Sequence, residues 1–120
     1  MIKRSAGPLS LFFLILFTSV SLRAQSANIT GKWEVTRDNK PTSSLELSQS
    51  GDVVTGNWVN QDGDKSELED GKVIGDTVTF SFNRDNNRFL ATGHIRENSI
   101  EFDVQVQGQS KKIHAVAKRE

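Results

Sequence analysis

From Ile29 onward, apolar and polar residues alternate with a period of two, and no window shows the 3.6-residue period of an amphipathic helix. Ile29, Gly31, Trp33 and Val35 alternate with Thr30, Lys32, Glu34 and Thr36. Leu45 and Leu47 form a second run, and Val54, Gly56 and Trp58 a third. Gly71 and Val73 lead to Val78, Phe80 and Phe82; Phe89, Ala91, Gly93 and Ile95 lead to Ile100, Phe102, Val104 and Val106. Ile113, Ala115 and Ala117 complete the series. Period two puts one side of each segment against a core and the other in water. Turn formers separate the runs at Asn39-Lys40-Pro41, Ser50-Gly51-Asp52, Asp62-Gly63-Asp64, Gly75-Asp76, Asp85-Asn86-Asn87, Glu97-Asn98 and Gly108-Gln109. Eight short antiparallel strands are the expectation.

Hairpin register supports this reading. A two-residue loop at Gly75-Asp76 sets Val73 opposite Val78 and Gly71 opposite Phe80. A similar loop at Glu97-Asn98 sets Ile95 opposite Ile100 and Gly93 opposite Phe102. Both hairpins collect their apolar residues on one face, as pairing requires. They echo each other, as ITGKW at 29–33 echoes VTGNW at 54–58, but no single period runs through the chain. Leu68 and Gly71 cannot both point inward from a regular strand, so a bulge is expected beside them.

The segment before this pattern is different. Lys3 and Arg4 precede Leu9–Leu22, 14 residues without a charge, and Ala24, Ser26 and Ala27 follow. A basic head, an apolar run of about 7–15 residues and small residues at a cleavage site describe a secretory signal peptide. A spanning helix needs about 20 apolar residues. The expectation is a leader over residues 1–26, cleaved near 24–27, and one domain over residues 27–120. The product is then secreted or periplasmic, with no membrane anchoring after cleavage.

The whole chain balances 15 Lys+Arg against 15 Asp+Glu. Without the leader, 12 basic residues face 15 acidic ones, a net charge of −3. That composition speaks against a nucleic-acid partner. Only 28 of the 94 residues from Ala27 onward are apolar, too few to bury both faces of a sheet. An open meander would leave its one apolar face in water. Pairing the first strand with the last buries that face and removes both edges. The expected fold is all-β, an eight-stranded antiparallel up-and-down meander closed into a small barrel. Such a barrel is just wide enough to be filled by side chains or to hold one small ligand. Inward glycines at 31, 56 and 93 let strands bend sharply. The chain has no Cys, which removes disulfides and thiolate metal sites and points to a bacterial exterior compartment. The sequon Asn28-Ile29-Thr30 would be silent there.

Gly31-Lys32-Trp33 on the first strand, followed by hairpin strands to a basic C-terminus, resembles the calycins, the superfamily of lipocalins, fatty-acid-binding proteins and avidins. Residues 70–80, DGKVIGDTVTF, are similar to small secreted bacterial lipocalin-like domains of unknown function. The resemblance implies that Trp33 packs at the closed end of the barrel beneath a basic side chain from a late strand, and Arg119 has the matching inward parity. No ligand carries over. The lipocalin Cys pair and Asp-Tyr motif, avidin's biotin-contacting Tyr and the Arg/Tyr anchor and helical lid of fatty-acid-binding proteins have no counterpart.

No catalytic constellation stands out. There is no G-x-S-x-G, and both His94 and His114 have outward parity on different strands. The expectation is no enzyme and no cofactor. The acidic stretch with Asp62, Asp64 and Glu67 is the best place to look for a metal. It lacks the glycine and glutamate spacing of an EF-type loop and reads as a solvent-exposed turn. The inward residues Trp33, Leu47, Trp58, Phe80, Phe82, Phe89, Phe102 and Arg119 are the candidate lining of a small apolar ligand site in the barrel mouth. The alternative is a packed barrel that meets a protein partner, for instance as an inhibitor, through its loops. The scarcity of apolar residues favours the filled interior. Outward Val53, Val59, Ile74, Leu90 and Val116 are scattered singles. A monomer is expected, with a homo-oligomer as the alternative.

Overall fold

A computed structural model describes residues 28–120, so the expected leader lies outside the described residues. Nine strands follow in order: β1 Gly31–Arg37, β2 Lys40–Ser50, β3 Val53–Asn60, β4 Lys65–Glu67, β5 Glu69–Ile74, β6 Thr77–Arg84, β7 Asn87–Ile95, β8 Ser99–Val106 and β9 Lys112–Arg119. β4 and β5 are the expected fourth strand, interrupted at Leu68. All pairings are antiparallel. β1 pairs with β9 as well as with β2, which closes an eight-stranded up-and-down barrel.

The expected registers are present. Val73 lies opposite Val78, Ile95 opposite Ile100 and Gly93 opposite Phe102. The bulge falls where Leu68 and Gly71 required it. Between the pairs Glu69–Ser81 and Lys72–Thr79, both Asp70 and Gly71 stand against Phe80. Asp70 takes the left-handed φ of 52°. This extra residue turns the inward parity over, so that Leu68 and Val73 are both buried.

The turns at Asn39 and Asp85 are tighter than the turn formers alone suggest. The two-residue loops are Asp38-Asn39 and Asp85-Asn86, and both residues of each have φ between 52° and 66°. Two consecutive left-handed residues make the type I′ turn, whose twist matches that of the flanking strands, and Asp and Asn accept that conformation readily. Lys40, Pro41 and Asn87 therefore belong to strands. Pro41 sits beside a register shift, with Thr42 the extra residue between the pairs Thr36–Pro41 and Val35–Ser43. Strand proline is tolerated at such irregularities.

The core is one cluster running the length of the barrel. Val35, Leu45, Val78, Ile100, Phe102 and Ala117 are fully enclosed, all at positions of inward parity. Residues 28–30 close one end. Ile29 is buried there, and its carbonyl accepts the Trp33 Nε1–H bond at 3.0 Å. The Arg119 guanidinium lies 4.4 Å from the centre of the Trp33 ring and donates to the carbonyls of Thr30 (2.9 Å) and Asn28 (2.8 Å). The Ile29 amide donates to Gln49 Oε1 at 3.0 Å, and the Gln49 amide to Thr30 Oγ1 at 2.9 Å. The closed end is thus Trp33 beneath Arg119, as the first-strand resemblance implied, with the entering chain laced across it.

Two substitutions test this construction. Trp33→Ala removes a buried indole and the platform under Arg119, which should cost about 3–5 kcal/mol and lower the melting temperature by at least about 12 °C. A drop of only a degree or two would contradict the packing described. At Gly56, with φ 142°, a Cβ would overlap the Glu46 carbonyl of the neighbouring strand. Gly56→Ala should therefore lose more than about 1 kcal/mol in a urea titration. Gly75→Asn, at φ 62° in open space, should lose less than about 0.5 kcal/mol, because asparagine accepts the left-handed region.

Candidate functional site

The far end of the barrel is built differently. Inward residues at the ends of β1, β3, β6 and β8 and at the starts of β2, β7 and β9 surround a cleft of ≈ 240 Å³ that opens to solvent. Its floor and walls are Val35, Trp58, Phe82, Phe89, Val104, Ile113 and Ala115; Thr42 and Ser43 add hydroxyls; Arg37 and Arg84 stand at the rim.

A column of parallel rings forms the apolar wall. Trp58 stacks on Phe82 with centroids 4.8 Å apart and planes 12° apart, and Phe82 on Phe89 at 5.1 Å and 7°. Strand geometry explains the column. Phe82 lies directly opposite Phe89 across β6 and β7. Trp58 reaches Phe82 because β4, between them, is only three residues long and pairs with β3 alone. Phe80 and Phe102 pack behind, edge to face at 5.6 Å and 61°. Trp58 and Phe82 are buried, while Phe89 at the end of the column is half-buried. Stacking and edge-to-face contacts of this kind hold rings in fixed orientations, so the wall is preformed.

The structure divides the candidate lining set. Trp58, Phe82 and Phe89 face the cleft. Phe80 and Phe102 are the packed layer beneath them. Trp33, Leu47 and Arg119 do not line it: Trp33 and Arg119 belong to the closed end, where Gly31, Leu47's partner, opens the first strand. Parity places all eight inward; only the distance along the barrel axis separates lining from plug.

Arg37 was not singled out by its sequence. The signal that could have found it is a repeat: Thr36-Arg37-Asp38-Asn39 and Asn83-Arg84-Asp85-Asn86 each put an arginine at the last inward position before an Asp-Asn turn. Arg84 Nε lies 3.8 Å from Asp85 Oδ2, a carboxylate open to solvent. Arg37 makes no ion pair among the described residues. Among the described residues no carboxylate lines the cleft.

One polar cluster lies on the outer wall. Ser81 has outward parity but is only 4% exposed. Arg88 covers it, donating to Ser81 Oγ at 2.6 Å and to Glu69 Oε1 at 2.7 Å, with Asp70 Oδ2 at 3.6 Å. The Asn83 amide completes the network at Glu69 Oε2, 3.4 Å away. These contacts span Glu69 and Asp70 and so pin the bulge.

The remaining candidates do not converge. His94 and His114 are exposed on the outer wall, and His114 Nδ1 is 3.2 Å from Asp103 Oδ1. Asp62, Asp64 and Glu67 are exposed, and their loop is organised by Asn60, whose Oδ1 accepts from the amides of Asp62 (3.1 Å) and Asp64 (2.9 Å). Among the described residues no group of three His, Cys, Asp or Glu side chains could hold a metal ion.

No family model, curated protein or solved structure matches the chain. The cleft must be read from its own residues.

Calcium at about 5 mM should leave the melting temperature unchanged within about 1 °C, since a cation that binds only the folded state raises it by mass action. A concentration-dependent rise would show that the Asp62–Glu67 loop gathers ligands this structure keeps apart.

Proposed function

We propose that this protein is a non-catalytic, lipocalin-like binding barrel of the calycin type that takes a small apolar ligand in its open mouth. The observation that carries the reading is the cleft itself. Its Trp58–Phe82–Phe89 wall borders a space that the protein's own side chains do not fill. Packed cores close such spaces, because unfilled apolar surface forfeits contact energy. Ligand sites combine an apolar wall with a few polar groups at the edge, and here Thr42, Ser43 and the two arginines stand at that edge.

The absence of catalysis in this reading is supported by the placement of both histidines outside the cleft. Export to a bacterial periplasm or exterior is supported by the leader-like pattern of residues 1–26 and the lack of Cys. A chain acting beyond the inner membrane as a carrier or sensor of small molecules fits both.

The neutral naphthalene dye prodan tests the reading. Titration into the native protein should give a saturable, one-to-one blue shift and enhancement. Ser43→Trp places an indole in the cleft without removing a core side chain. It should weaken prodan binding at least about tenfold, a change of about 1.4 kcal/mol, with the melting temperature retained. If the native protein shows no saturable response, the mouth is no ligand site, and the packed barrel acting through its loops takes its place.

A further inference from the structure

The rim of the cleft carries a second piece of chemistry. Arg37 ends β1 and Arg84 ends β6. Around the barrel, β1 and β6 are four strands apart in either direction, counting β4 and β5 as one. The two arginines therefore enter the mouth from opposite sides. Each is held by the same device, an Asp-Asn turn with both residues at left-handed φ, closing the pairs Arg37–Lys40 and Arg84–Asn87. Among the described residues they are the only charged ones lining the cleft. Arg37 has no ion-pair partner among the described residues, and Arg84 approaches only the solvent-open Asp85 carboxylate at 3.8 Å, whereas the Arg88 guanidinium on the outer wall is held by Glu69, Asp70 and Ser81.

We infer that the ligand is a flat aromatic anion, one or two rings bearing a carboxylate or sulfonate, with its ring against the Phe89 end of the aromatic column and its acid group between Arg37 and Arg84. This inference rests on the reading of the mouth as a ligand site. Size and shape support the ring. An apolar cavity of about 150 Å³ holds benzene, and ≈ 240 Å³ accommodates a second ring. A long acyl chain would need the volume that Phe80 and Phe102, 3% and 0% exposed, already fill. The column ends in the half-buried Phe89 ring, where an aromatic ligand can extend the stack. Charge supports the acid. A guanidinium presents a planar fork of donors that matches a carboxylate or sulfonate, and two forks approaching from opposite sides can bind both edges of one group. A neutral ligand of the same shape would lack the charge-assisted, bidentate pairing, and a cationic one would be repelled.

The test compares 2-naphthoate with its neutral isostere 2-naphthamide by isothermal titration calorimetry, on the native protein and on Arg37→Gln/Arg84→Gln. Both substitutions are at the rim, so a retained melting temperature confirms folding. The native protein should bind 2-naphthoate one to one and at least about tenfold more tightly than 2-naphthamide. That preference should shrink between about 0.02 M and about 0.5 M salt, and in the double variant the ratio should fall towards one. Equal binding of the two compounds by the native protein would overturn the anion assignment and leave the apolar site standing. A preference that survives in the double variant would overturn the role of the two arginines. Binding of neither compound would overturn the site as well as its chemistry.

Discussion

Closure is the constraint on which everything else depends. The sheet has one apolar face, and the pairing of β1 with β9 turns that face inward. Without that seam, the enclosed residues Val35, Phe102 and Ala117 would line an open surface. The seam sits beside the plug: Trp33 pairs with Arg119 across it, and the Arg119 guanidinium returns over the Trp33 ring to hold the backbone of residues 28 and 30. The same few residues join the first strand to the last and seal one end. This concentrates the burial energy of a chain with few apolar residues at the place where the topology would otherwise come apart.

Sealing one end leaves the other to be shaped by local irregularities. Ahead of the bulge at Asp70-Gly71, β4 is only three residues long, and Trp58 reaches Phe82 past it. The register shift at Thr42 carries Thr42 and Ser43 to the cleft. The two Asp-Asn turns fix where the arginine-bearing strands stop. An eight-stranded barrel can be filled by side chains or can hold one small ligand; here these irregularities border a mouth of ≈ 240 Å³ above a packed layer. The filled interior and the ligand-sized space, alternatives when only the composition is considered, are both present, at different heights.

Most of the fold was legible because it rests on short-range rules. Alternation identified the inward residues, and the loop lengths at Gly75-Asp76 and Glu97-Asn98 set two registers that the structure shows. The clash of parity between Leu68 and Gly71 located the bulge. Three things were less legible. The start of β2, Lys40-Pro41-Thr42-Ser43-Ser44, has no alternating apolar residues, so its strand pairing comes from β1 and not from its own pattern. Ser81, outward by parity, is buried because Arg88 folds over it to reach Glu69, a contact between neighbouring strands that no single strand's pattern contains. Arg37 is an unremarkable charge until its turn is paired with that of Arg84.

The amino-acid order by itself determined that this chain forms antiparallel hairpins with one apolar face, because side-chain direction alternates in every extended segment and turn chemistry acts over two or three residues. It also determined that the apolar face must be enclosed, since 28 apolar residues from Ala27 onward are too few for anything broader. Only the tertiary structure decided which inward residues plug and which line. Parity is a property of one strand, whereas height in the barrel depends on the stagger of all the strands together. That stagger put Trp33 under Arg119 at one end and Trp58 beside Phe82 at the other, and it set Arg37 and Arg84, 47 positions apart in sequence, on opposite sides of one cleft.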